Sequence, residues 1–305
     1  MMDEDGQLSE FARQLLLRHH RVASAPVSEF VADGLDDTNT GVPSGTSLTE
    51  VYSPTYDSAN DGQTISAKWF SGRVTLDGAD NITFENCDFY MDDWFPVIFW
   101  TGQLDTMSVT FNYCTFHAPP EATTNPIGAH QARGATFYRC LFYNCTDAIR
   151  CESNVLIDQC YFGVPLHQDG AHCDGIELYG DNGPVSNVEI RDSKFAMGPD
   201  SWDVGGGITA CINASCDSDT VDDLRVYRNH IDGGTIPVRF TGTSPVLCSN
   251  VQFIGNHVVE GTYGFTDVTE EGEILYWEDN FDANDLTESG RIIDAVLLGV
   301  ERPAP

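Results

Sequence analysis

One nine-residue pattern returns along most of the chain, as NITFENCDF (81–89), SVTFNYCTF (108–116), GATFYRCLF (134–142) and NVLIDQCYF (154–162). It continues more loosely as NVEIRDSKF (187–195), DLRVYRNHI (223–231), NVQFIGNHV (250–258) and EILYWEDNF (273–281). The copies start 20 to 36 residues apart, a spacing that belongs to solenoids. Their seventh position runs Cys87, Cys114, Cys140, Cys160, Ser193, Asn229, Asn256, Asp279.

Within a copy the apolar residues alternate, as Ile82, Phe84 and then Phe89, which is strand periodicity on both sides of a bend. A further short strand can be read after several copies: DAIRCES (147–153), DGIELYG (174–180), GGITACI (206–212) and IPVRFTG (236–242). No such coil can bury its apolar side alone. Stacked at the parallel-strand spacing of about 4.8 Å, the coils share one core. A sandwich or propeller would need paired hairpin turns or four-stranded blades, and neither pattern occurs. The expected fold is therefore all-β, a parallel β-helix solenoid. The seventh-position residues should stack as an interior column of reduced thiols that grades into small polar side chains.

This repeat resembles that of the pectate-lyase-like right-handed parallel β-helix superfamily over about residues 60–285. TNTGVPSGTSLTEV (38–51) and DGQTISAKWFSGRVTLDGADNITFENC (61–87) are similar to words that open β-helix proteins of actinobacteria and tailed viruses. The resemblance implies a right-handed solenoid and a tail or surface protein of a virion, with a homotrimer as the assembly by analogy. The expected organisation is an N-terminal helix or attachment segment (1–26), a linker and cap (27–60), the β-helix (61–285) and a C-terminal cap or tail (286–305). Leu8, Phe11, Leu15 and Leu16 follow helical spacing ahead of Pro26, so residues 7–22 are expected to form a short amphipathic helix.

Composition narrows the partners. The 47 acidic and 15 basic residues give a formal charge of −32, which repels phosphate backbones and anionic membranes, so no nucleic acid partner and no membrane insertion are expected. Lys68 and Lys194 are the only lysines, and so carboxylate-rich a surface fits a halophilic source. No apolar run approaches the roughly 18 to 20 residues of a membrane span. The acidic start MMDEDG is unlike a secretory signal. Cys145, Cys151, Cys173, Cys211, Cys216 and Cys248 lack CxxC spacing, so no zinc site is expected.

The densest polar stretch is HQDGAHCDGIELYG (167–180). Stacking the third strands with Ile149, Ile176, Ile208 and Val238 inward places Arg150, Glu177, Thr209 and Arg239 in one outward column, with Glu152, Tyr179, Cys211 and Thr241 in the next. Such a face reads as a glycan groove, with Arg150, Glu152, Tyr179, Arg239 and His167 as ligand-binding residues. Two chemistries compete with plain binding. A hydrolase would draw an acid and a base from Asp169, Asp174 and Glu177. A uronate lyase would use Arg150 against the substrate carboxylate and His172 or Tyr179 as base. The bland reading is a ladder ion pair, Arg150–Glu177, beside Asp-Gly turns.

The motifs of the enzymes this fold resembles are missing. Polygalacturonase-like enzymes carry Gly-His-Gly and Arg-Ile-Lys, pectate lyases Trp-Ile-Asp-His, and epimerases Asp-Pro-His; none occurs here. No motif requires a cofactor; Ca2+ is the one cation admitted, as a screen for an anionic substrate. Trp94, Phe95, Phe99 and Trp100 cluster near one coil, where exposed rings would stack on sugars. The expected function is a virion component that binds host envelope polysaccharide beside other tail proteins, with a polysaccharide-degrading enzyme or a purely structural virion protein as alternatives.

Overall fold

The computed structural model describes residues 30–90, 94–99, 107–166, 171–178, 183–198, 208–216, 220–242, 248–268, 274–286 and 292. The expected helix at 7–22 lies outside them. Residues from Ala32 onward form one compact unit, a parallel β-solenoid of short strands. Successive coils stack their strands into three parallel sheets, of ten, nine and ten strands. The first sheet runs from Thr49–Val51 to Phe281–Asp282, the second from Thr55–Asp57 to Thr266–Val268, and the third from Thr64–Ser66 to Ile274–Glu278.

The repeat explains this geometry residue by residue. Its second to fifth positions are a third-sheet strand, such as Ile82–Glu85, with Ile82 and Phe84 buried. Its eighth and ninth positions open a first-sheet strand, such as Asp88–Tyr90. The sixth position takes a left-handed backbone at the corner: Asn86, Tyr113, Arg139, Gln159, Asp192, Arg228 and Gly255 have φ between 49° and 68°, and in the last copy Asp279, one position later, takes the same turn. Because each corner turns the same way, the ninth-position rings, and Phe70 in the coil before the first copy, stack coil over coil. Phe70, Phe89, Phe116, Phe142, Phe162 and Phe195 form one file with centroids 4.4 to 5.1 Å apart. Offset stacking and full burial make this file the spine of the core.

The seventh-position column is interior, as expected. Cys87, Cys114, Cys140 and Cys160 are buried free thiols that lean on backbone carbonyls, as Cys140 Sγ does on Phe111 O at 3.4 Å. Where the column turns polar it becomes a hydrogen-bonded ladder. Ser193 Oγ accepts from Cys160 N at 3.0 Å, Asn229 Oδ1 from Ser193 N at 2.9 Å, and Asn256 Oδ1 from Asn229 N at 2.9 Å. Its last step is Asn280 and not the expected Asp279: Asn280 Oδ1 accepts from Asn256 N at 3.0 Å. A register shift between Val251 and Gln252 inserts one residue in the final third-sheet strand and moves the pattern by one.

Ahead of the first strand, residues 32–48 lie along the outer side of the first sheet as a strap. Lys194 Nζ donates to Asp33 O at 3.2 Å, and the Asp33 carboxylate lies 2.7 Å from His230 Nδ1 and 3.8 Å from His257 Nδ1. Further on, Gly41 N donates to Arg139 O at 2.8 Å and Val42 N to Thr115 Oγ1 at 3.0 Å. The strap thus passes from late coils to early ones, burying Ala32, Leu35 and Thr40. At Gly41, φ is +70° and a Cβ would lie 2.6 Å from Thr115 Oγ1 and 2.7 Å from Leu141 Cβ, so only glycine fits.

Candidate functional site

Two faces of the solenoid gather polar side chains. On the second sheet, strands Asp147–Cys151 and Cys173–Leu178 pair in register, with Asp147 beside Asp174, Ile149 beside Ile176 and Arg150 beside Glu177. Ile149 and Ile176 are in the core, so Arg150 and Glu177 point outward, and the row continues through Asn213, Arg239 and Asp267. Arg150 Nε lies 2.5 Å from Glu177 Oε2 and Arg150 Nη2 lies 3.2 Å from Asp147 Oδ2. Asp147 Oδ1 accepts from Asp174 N at 3.2 Å. Asp174 accepts from Ala210 N and from Asn213 Nδ2, each at 3.0 Å.

The charges in this cluster do not balance locally: three carboxylates meet one guanidinium. Burial, then the charge of Glu177, pushes the Asp147 carboxyl up to about 7 against the pull of Arg150. Burial, then Asp147, pushes Asp174 up as well. The cluster therefore retains a proton near neutral pH. On the neighbouring strand Ile127–Ala132, His130 stacks on Phe95 at 4.0 Å and 10°. Burial, then Arg150 and Arg73, lowers His130 to about 4, so it is neutral at pH 7. Trp94, next to Phe95, is 48% exposed.

The sequence-predicted residues divide as follows. Arg150, Glu177 and Arg239 share the outward row. Thr209 does not: strand Ile208–Cys216 pairs Ile212 with Ile176, which puts Asn213 in the row four residues later. The second expected column does not form. Glu152 is fully buried in an ion pair with Arg133, and Cys211 is buried in the core. Asp174 is buried as well, so the expectation that it faces a groove is corrected: it ties three coils together. His172 is exposed at the strand entrance. His167, Asp169 and Tyr179 lie outside the described residues. Sequence reasoning missed Asp147, Asn213 and His130; the shared word Asp-x-Ile in DAIRC and DGIEL was the available signal for Asp147. Of the aromatic cluster, Phe99 is core, Trp94 is exposed, and Trp100 is outside the described residues.

The third sheet carries a groove of about 430 Å3 over Thr136, Asn154, Leu156, Asn187, Glu189, Arg191 and Arg225, none of which the sequence singled out. Thr136, Leu156, Glu189 and Arg225 are register neighbours on successive coils. Among the described residues, no group of three or more His, Cys, Asp or Glu is arranged to hold a metal ion. No described helix is long and apolar enough to cross a membrane. No protein-family model, curated protein or solved structure matches this chain.

Proposed function

We propose that the chain is a glycan-binding surface or tail component of a virion, in which the solenoid is a rigid shaft and a host envelope polysaccharide lies along the outer second sheet. The observation that carries the reading is the row Arg150, Glu177, Asn213, Arg239 and Asp267 on five successive coils, in which every member but the buried Asn213 presents a charged side chain. An extended polymer of hydroxyl-rich units needs donors and acceptors repeated along a straight axis, and stacked parallel strands supply that repeat. Asn213 is buried in mid-row, where its Nδ2 donates to Asp174 Oδ2 at 3.0 Å and braces the strand beneath the outward-facing charges. Exposed Trp94, one residue from the Phe95–His130 stack, supplies an aromatic face beside it. The resemblance of 38–87 to openings of tailed-virus proteins, a right-handed coil and a homotrimer belong to the same reading; the right hand accords with the rule for parallel crossovers.

An enzymatic second reading rests on Asp147. A carboxyl held up at about 7 beside Glu177 is the acid and carboxylate pairing that glycoside cleavage uses. One experiment separates the two. The purified chain is incubated with host envelope polysaccharide at high salt, and binding, new reducing ends and unsaturated-uronate absorbance are followed together. Binding without product, weakened in Arg150→Ala, is the expected result. Product from the wild type and none from Asp147→Asn would establish the enzyme, and neither binding nor product would leave a purely structural virion protein.

A further inference from the structure

We infer that the third-sheet groove is a second saccharide subsite, built for a neutral, hydroxyl-rich sugar and not for an acidic one. This rests on the carbohydrate reading above and adds both a place and a substrate class to it.

The groove is built from one continuous network. Asn154 and Asn187 occupy the same corner on successive coils, both in the left-handed backbone, with φ of 59° and 55°. Asn187 Nδ2 donates to Asn154 Oδ1 at 2.8 Å, and Arg225 donates in turn to Asn187 Oδ1. Glu189 then bridges two guanidiniums: its Oε2 lies 3.2 Å from Arg225 Nη1 and its Oε1 2.8 Å from Arg191 Nη1. Beyond it, Arg191 Nη2 lies 2.9 Å from Asp158 Oδ2, and Arg225 Nε lies 3.5 Å from Asp223 Oδ1. Amide, carboxylate and guanidinium thus hold one another in place before any ligand arrives, which lowers the ordering cost of binding.

Charge selects the ligand. Two arginines face the three carboxylates of Glu189, Asp158 and Asp223, so the groove has no positive excess to offer a uronate, sulfate or phosphate, and the whole chain carries −32. What remains is directional hydrogen bonding: unused guanidinium N–H groups, two amides, and the Thr136 hydroxyl, beside the apolar side chains of Leu156 and Met107. Hydroxyls can act as donor and acceptor, and a sugar ring offers C–H faces to the apolar lining. At about 430 Å3 the space is of ligand-pocket size.

The test uses the full chain and two probe sets on a glycan array followed by calorimetry: neutral hexasaccharides of glucose, mannose and galactose, and acidic oligogalacturonates of equal length. Three variants accompany it: Asn187→Ala, which breaks the amide chain, Thr136→Trp, which fills the groove, and Tyr52→Ala, an exposed control on the first coil. Neutral binding weakened tenfold or more by Asn187→Ala and Thr136→Trp, and untouched by Tyr52→Ala, is the expected result. Should Thr136→Trp melt early, Asn187→Ala decides. Neutral binding indifferent to both groove variants but lost in Arg150→Ala would overturn the groove and leave the glycan reading standing. Tighter, groove-dependent binding of oligogalacturonate would overturn the neutral class. No binding in either set would overturn the groove proposal, while the envelope-polysaccharide assay decides the glycan reading separately.

Discussion

Single residues in this chain act through what they leave unsatisfied when removed. Asn229 accepts from Ser193 N, and its Nδ2 donates to Ile190 O at 3.0 Å, all inside the core. Asn229→Ala strands both backbone groups at about 1–3 kcal/mol each, a loss that denaturant unfolding would register. Asp147 acts through a proton. Its folded pKa of about 7 lies above the unfolded value of 3.8, so the folded state holds the proton more tightly. The stability it contributes is full below about pH 4 and is lost as pH rises through 7. Melting temperature should therefore fall between pH 5 and pH 8, and fall less in Asp147→Asn. At this scale the sequence was legible where the repeat was strict. The cysteine column and the ring file follow from their positions alone. Asn280 and Asn213 did not, because the strand Ile208–Cys216 has the same alternation in two registers four residues apart, and a bulge adds a residue before Asn280.

Among elements, the strap is the least expected. Residues 32–48 carry no period, so Ala32, Leu35 and Thr40 read as linker residues; burial of isolated side chains leaves no pattern to find. Its hold depends on fit and on charge. Gly41→Ala adds a methyl group where Thr115 and Leu141 already stand and forces a strained φ, so amide exchange along 35–42 should rise while the rung amides keep their protection. The histidines give the strap a pH dependence. Burial lowers His257 below its ordinary 6.5, Asp33 pulls it back, and His230 lowers it again, with the Lys194 ammonium on the same strap residue. A depressed histidine stabilises the fold above its unfolded pKa, and that stability is lost as pH falls below 6.5. Lower protection of the strap amides at pH 5 than at pH 7.5, once the intrinsic pH dependence of exchange is divided out, and abolished by His257→Gln, is the expected outcome. The third-sheet groove was equally hidden. Its side chains come from coils 20 to 36 residues apart, and nothing local marks them as neighbours.

For the molecule as a whole, architecture was the most legible property and the binding faces the least, since a solenoid is written in its period while a face depends on which coil stands beside which. The net charge of −32 adds a prediction at this scale. With about three carboxylates for every cation, folding concentrates like charge on one surface, and salt shortens the reach of that repulsion from about 10 Å at 0.1 M to about 3 Å at 1 M. Melting temperature should rise steeply over that range, and more than in a variant with ten surface carboxylates replaced by glutamine. The strap has a mechanical consequence too. A stack of coils pulled at its two ends would peel one rung at a time, each giving up a short length of chain. Here Asp33 sits beside His257, so the start of the compact unit is anchored near the last rungs, not the first. Tension applied between Ala32 and Asp282 would load the strap in shear before any rung is opened. In single-molecule stretching, one early release should precede the regular series, like a clasp that must give before the coil it closes can unwind.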